Sequence, residues 1–177
     1  MPFDHRLATL ADRPALVRLM DRAIDQLQRG FLTPEQITAS HAMMGIDTAL
    51  VQDGTYFIIE EAGVIAGCGG WSRRATLFGG DHSTDLREPR LLDPASEPAR
   101  VRAMYTDPDF VRRGVGRLIL ELCEQAAAAE GFTRIEMMAT LSGEPLYRAA
   151  GYRVITPDAY TVGDVTVPLL RMGKTLV

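Results

Sequence analysis

Apolar residues Leu16, Leu19, Met20, Ala23, Ile24 and Leu27 recur at steps of three and four, which places them on one stripe of an α-helix. The stripe predicts a buried helix face that ends near Gly30. Ahead of it, residues 3–7 read as a short strand, and Thr9 and Asp12 form a capping-box pattern in which hydroxyl and carboxylate satisfy exposed helix amides. A second start follows at Thr33-Pro34-Glu35, with Pro at the first helical position, and predicts a helix to about Gly45. Residues 47–52 add one turn before Asp53-Gly54 breaks the chain.

The pattern then turns to strands. Residues 55–60 (TYFIIE) and 64–72 (VIAGCGGWS) flank Glu61-Ala62-Gly63 and predict an antiparallel hairpin. Residues 73–98 are polar and without period, and predict a long surface loop. Beyond it the chain reads as a strand over 100–106, a helix over 114–130, a strand over 134–139, a short helix over 144–150, and closing strands over 152–156 and 165–172. No repeat or long linker divides residues 1–177, so a single mixed α/β domain with helices packed on a central sheet is expected.

Composition narrows the class. With 46% hydrophobic and 24% charged residues, the chain is neither collagen-like, disordered nor a disulfide-stapled miniprotein. The apolar run over 115–122 is broken by Arg117 and Glu121, far short of the ~20 residues of a membrane span. The opening Met-Pro-Phe-Asp-His-Arg lacks the apolar core of a secretory signal, so a cytoplasmic protein without a membrane partner is expected. Cys68 and Cys123 have no CxxC spacing and read as buried free thiols. The balance of 19 basic against 23 acidic residues, a net charge of −4, argues against a nucleic-acid surface but leaves room for a local anion site. Arg112, Arg113 and Arg117 form the densest basic cluster.

That cluster lies in Asp107-Pro-Asp-Phe-Val-Arg-Arg-Gly-Val-Gly-Arg117, which joins a predicted strand to a predicted helix. The first helical turn leaves about four unpaired N–H donors at the positive end of the helix dipole, an arrangement suited to phosphate. A Walker loop would need Lys and Ser or Thr where Arg117-Leu118 stands, and the only lysine is Lys174. A dinucleotide fingerprint would want Gly or Ala at Ile119, and it belongs in a tighter turn, although Glu136 lies near the spacing of its acidic residue.

The segment resembles the signature of the GCN5-related N-acetyltransferase (GNAT) superfamily, Gln/Arg-x-x-Gly-x-Gly/Ala between a strand and a helix. Residues 100–130 are similar to the family's acetyl-CoA motif and Tyr147-Arg-Ala-Ala-Gly-Tyr152 to its later Tyr-x-x-x-Gly-Phe/Tyr motif, and the N-terminal strand with its capped helix is also typical. Val111 stands where Gln or Arg is usual, and Ser142 where many members carry Asn. The resemblance implies a mostly antiparallel central sheet with a splayed parallel strand pair and flanking helices, and acetyl-CoA as co-substrate. It implies that Val111, Arg112, Arg113, Gly114, Val115 and Gly116 wrap the pyrophosphate with main-chain amides, with Arg117 beside them. It further implies that Met104, Tyr105 and Thr106 pair with pantetheine amides, and it makes Ser142 the residue at the usual pantetheine-contact position.

Tyr147 matches the family tyrosine that donates a proton to the leaving thiolate; a phenol with pKa near 10 is protonated at neutral pH. The Tyr105 amide is expected to stabilise the oxyanion. Glu136, mid-strand among apolar residues, is either a desolvated base or the structural partner of Arg102 or Arg134, the second being favoured. His82 is a further candidate base, and Trp71, Phe78 and Tyr105 are candidate walls of an acceptor pocket. The Arg73-Arg74 pair reads as a solvated turn or an anchor for an acidic acceptor. His5, His41 and His82 lack ligand spacing, so no metal is expected. The implied activity is acetyl transfer to a small-molecule or peptide amine by direct attack in a ternary complex, with a homodimer left open. Its rival is a non-catalytic acyl-CoA-binding or sensor module.

Overall fold

A computed structural model describes residues 2–176. Its strands are β1 (Asp4–Leu7), β2 (Tyr56–Glu61), β3 (Val64–Ser72), β4 (Ala99–Thr106), β5 (Arg134–Thr140), β6 (Arg153–Val162) and β7 (Val165–Thr175). Its helices are α1 (Arg13–Leu27), α2 (Pro34–Ser40), α3 (Thr48–Gln52), α4 (Val115–Ala129) and α5 (Glu144–Ala149). The seven strands form one sheet in the order β1-β2-β3-β4-β5-β7-β6. Only β4 and β5 are parallel, as the family resemblance implies. Helix α4 covers one face and α1 and α2 the other. No helix among the described residues is long and apolar enough to cross a membrane.

The predicted stripe of α1 is its buried face: Leu16, Met20 and Ile24 pack on Tyr56, Ile58 and Cys68 of the sheet. Ahead of that helix, Asp12 accepts the Thr9 amide at 2.7 Å and both arms of Arg6 at 2.9 Å. Helix α2 begins with the expected reciprocal cap, Gln36 N donating to Thr33 Oγ1 at 3.2 Å and Thr33 N to Gln36 Oε1 at 2.9 Å. It stops at Ser40, short of the expected Gly45. Thr38 and Ser40 turn their hydroxyls back onto carbonyls four residues earlier, at 3.1 and 2.9 Å, a habit that weakens a helix interior.

The β2–β3 hairpin turns through Ala62 and Gly63 at φ 50° and 78°, the doubly left-handed pair that matches strand twist. The glycines of β3 serve packing. A Cβ on Gly67 would lie 2.5 Å from Val115 Cγ1, and one on Gly69 2.7 Å from Ile119 Cγ2. Their absence of side chains lets α4 sit directly on the sheet, with its first turn beside the end of β4. Strand β6 outruns its predicted end at residue 156, because Pro157 is tolerated on this edge strand.

Residues 73–98 are far more tied down than a surface loop. Arg74 and Leu91 form a bridge, Ala75 N donates to Arg90 O at 2.9 Å, and Arg74 grips Asp53 at 2.8 and 3.0 Å. Arg73 holds Glu130 at 2.6 and 2.8 Å. Both arginines are therefore internal clamps, not a solvated pair or an anion anchor. Cys68 and Cys123 are buried free thiols, and burial pushes Cys68 up to about 12.

Candidate active site

Among the described residues, β4 and β5 pair at Ala99 with Ile135 and at Arg100 with Glu136; β4 then runs on to Thr106 and β5 to Thr140 with their edges apart. The splay leaves backbone groups of β4 facing a gap that a ligand amide can fill as an added strand would.

A bulge in β4 aims these groups. Cys68 opposes Tyr105 but Gly70 opposes Arg102, so β4 carries one extra residue, and Ala103 takes φ 51°. The Tyr56 hydroxyl donates to Ala103 O at 2.6 Å, which turns that carbonyl towards β2 and β3. The peptide is trans, so the Met104 N–H points the opposite way, into the gap. Further on, Asp107 N donates to Ala66 O at 2.9 Å. Antiparallel alternation then turns the Tyr105 amide towards β3 and the Thr106 amide towards the gap. The expected oxyanion donor, the Tyr105 amide, is on the wrong side of the strand. Its phenol is also engaged, accepting the Gly45 amide at 2.8 Å.

The loop into α4 curls through Arg112 at φ 60° and Gly114 at φ 88°. It is braced by Asp107, which accepts the Asp109 amide at 2.9 Å and binds Arg22 at 2.6 Å. Leu118 is the first residue of the helix whose amide bonds back, to Gly114 O at 3.0 Å, leaving the amides ahead of it open. Gly116 has a packing reason as well, since a Cβ there would lie 2.5 Å from Leu146 Cδ2 of α5. Arg112 and Arg117 line the adjacent groove. Arg113 does not: its guanidinium turns to Glu61 at 2.5 and 3.0 Å and lies 5.3 Å from the rings of Phe3 and Phe110. The expectation for Arg113 rests on its main-chain amide, and its side chain points elsewhere.

The groove encloses about 710 Å³ between α1, the end of β4, the start of α4 and α5. It is lined by Met104, Tyr105 and Thr106, by Val111, Gly114, Val115 and Gly116, and by Ser142 and Tyr147. A second cavity of about 90 Å³ lies beyond it, and Met44, Met104, Tyr105, Thr140 and Tyr147 line both. Tyr147 thus stands at the junction. Its ring rests against Gly143, where a Cβ would lie 2.7 Å from Tyr147 Cε2, and burial pushes its phenol up to about 12. Ser142 Oγ lies 3.2 Å from Thr140 Oγ1, so its hydroxyl is shared within the turn.

Glu136 lines neither cavity. Its carboxylate is 12% exposed and pairs with Arg171 at 3.1 Å and Arg100 at 3.5 Å, not with Arg102 or Arg134. The register explains this, because Arg100 is its partner across β4 and Arg171 lies diagonally across β7. Arg134 instead donates to Ser96 O at 2.8 Å, and Arg102 is buried on Asp47 at 2.8 Å. The catalytic assignment of Glu136 is corrected to a structural ion pair.

Of the other candidates, Phe78 lines the small cavity, Trp71 sits in the core edge-on to Phe132 at 6.0 Å, and His82 Nε2 is held by His41 O at 2.5 Å. Asp47 and Met44 carried no motif that would single them out. Asp47 is a buried hub, bound by Arg87 at 3.0 Å as well as by Arg102.

Residues 18–152 match the model of the acetyltransferase (GNAT) family. No curated protein matches the sequence at a significant level. Similar solved structures include a GCN5-related N-acetyltransferase from Rhodopseudomonas palustris, with TM-score 0.73, 18% identity, and 99% and 97% of the two chains covered. PaiA N-acetyltransferase from Thermoplasma acidophilum, solved with coenzyme A, gives TM-score 0.66 at 12% identity, covering 99% of each chain. YncA from Salmonella typhimurium, solved with its cofactor acetyl-CoA, gives 0.66 at 16% identity over 100% and 95%.

Proposed function

The chain belongs to the GNAT acetyltransferase family, and from that premise we propose that it transfers acetyl from acetyl-CoA to an acceptor amine by direct attack in a ternary complex. The observation that carries the reading is the junction at Tyr147, where an open strand edge and a groove ending in unpaired helix amides meet a separate small cavity. The residues present fit the co-substrate. Open amides ahead of Leu118, with Arg112 and Arg117, suit a pyrophosphate, and the Thr106 amide suits a pantetheine carbonyl.

The chemistry follows from this placement. The acceptor nitrogen, in the small cavity, attacks the thioester carbon as the carbon–sulfur bond breaks. The Met104 amide faces the gap and Met104 lines both cavities, which supports a role for that amide in taking the negative charge growing on the carbonyl oxygen. Tyr147 gives its phenolic proton to the departing sulfur and regains one from the acceptor nitrogen through water. The products are the acetylated amine and CoA thiol. Holding both reactants at one junction replaces a bimolecular encounter and supplies much of the rate.

Saturating acetyl-CoA should raise the melting temperature. At about 100 times the dissociation constant, mass action adds roughly 2.7 kcal/mol. Acetyl-CoA with an amine panel should then release CoA above the uncatalysed rate. A thermal shift without turnover on any amine would favour the sensor reading, and no shift would remove both.

A further inference from the structure

The small cavity identifies the class of acceptor. Resting on the acetyl-transfer reading, we infer that the acceptor is a small amine with an apolar, uncharged body that binds and attacks as the neutral free base.

Size is limited by the roof. Helix α2 is seated on β7: Gln36 Nε2 donates to Thr166 O at 3.0 Å, and Ala39 and Met43 pack with Val167 and Leu169. From the other side the 77–88 segment closes over, with Phe78 edge-on to Tyr160 at 5.9 Å and Tyr160 Oη donating to Asp85 at 2.9 Å. The two covers are latched together, Ser83 Oγ donating to Ala42 O at 2.8 Å. An extended peptide would need an open trough where these contacts lie. The space of about 90 Å³ instead suits a small molecule's amine-bearing end.

Charge is limited by the walls. Met43, Met44, Met137, Met138, Phe78 and Leu169 supply much of the apolar part of the lining, which Arg102, Tyr105, Thr140 and Tyr147 share and which includes no Asp, Glu, His or Lys. The one charged side chain is Arg102 of β4, already bound to Asp47 at 2.8 Å and Gly79 O at 2.8 Å, with Arg87 behind Asp47. The other titratable walls are Tyr105 from β4 and Tyr147 from α5, both raised by burial and therefore neutral. Of the nearby carboxylates beyond the walls, Glu136 of β5 pairs with Arg100 and with Arg171 of β7, Asp81 pairs with Arg87 and Arg13 and accepts from Thr48, and Asp85 accepts from Tyr160. His82 faces the His41 carbonyl. An ammonium entering this space loses water, finds no countercharge in the walls and meets Arg102, a like charge, among them. A second cation has no carboxylate to bind, and an acceptor carboxylate has no free arginine.

The test compares 2-phenylethylamine and a less basic analogue, benzylamine, with 1,5-diaminopentane and a tripeptide, reading CoA release across pH. The expected result is kcat/KM at least about tenfold higher for the apolar monoamines. For them it rises with pH to a plateau at each amine's own pKa, so the inflection moves between the two. Faster turnover of the diamine or peptide, or one inflection common to both monoamines, would overturn the inference while leaving acetyl transfer intact. No turnover with any amine overturns the transfer reading and this inference with it. Phe78→Glu, on the half-buried loop, should move the preference towards the diamine and Phe78→Ala should not; an unchanged ratio in a folded Phe78→Glu protein contradicts the placement of the acceptor.

Discussion

The hydroxyl of Tyr56 reaches across β3 to donate to the bulge carbonyl of Ala103 at 2.6 Å. This bond fixes the orientation of one peptide and so aims the Met104 amide into the gap between β4 and β5. Tyr56→Phe should cost about 1 kcal/mol, because the half-buried Ala103 carbonyl loses its partner. It should also lower kcat while leaving acetyl-CoA affinity largely intact. Chemical denaturation and steady-state kinetics check both, and an unchanged kcat would take the bulge out of the mechanism.

The arginines should separate cleanly. Arg112→Ala and Arg117→Ala remove charged groups from the groove wall, and each should weaken acetyl-CoA by roughly tenfold, the worth of a charge-assisted hydrogen bond. Arg113→Ala should leave affinity within about twofold, since that side chain is spent on Glu61. Calorimetric titration of the three variants distinguishes them.

Glu136→Gln keeps the shape of the side chain but strands Arg100 and Arg171 with a neutral partner. Stability should fall by about 1–3 kcal/mol while kcat/KM and its pH profile stay as in the parent. A lost limb in the pH profile with unchanged melting would restore Glu136 as a base.

Acid should release the N-terminal latch. Hydrogen bonds from Arg6 hold Asp12 down from 3.8 to about 2. A carboxylate depressed on folding contributes fully above about pH 4, and that contribution is lost as pH falls through about 2. Asp12→Asn should therefore melt lower than the parent at neutral pH, and the two curves should converge near pH 2. Parallel curves over that range would contradict the pairing.

What the sequence disclosed was local. The α1 stripe, the Thr33 cap, the hairpin at Gly63 and the helix start after Gly114 are written in neighbouring residues, and the structure bears them out. Partners set by register were out of reach: nothing near Glu136 points to Arg171, which lies diagonally across only once β7 has entered between β5 and β6. The bulge was equally hidden, because an alanine at φ 51° has no compositional sign. That one residue moves the gap-facing amide from the expected Tyr105 to Met104. The loop over 73–98 looked free because its anchors, Asp53, Glu130 and Asp47, are distant in sequence.

The central claim is that acetyl moves from acetyl-CoA to an amine at the junction beside Tyr147, with that phenol as the acid. Mass detection of the acetylated amine together with CoA release, in the parent and in Tyr147→Phe, tests it most directly. The prediction is stoichiometric acetylated amine and CoA from the parent. For Tyr147→Phe it is a kcat lower by about 10²–10⁴ with an unchanged dissociation constant for acetyl-CoA, the usual worth of general-acid help. Equal turnover by the two proteins, or CoA released without acetylated amine, would contradict it.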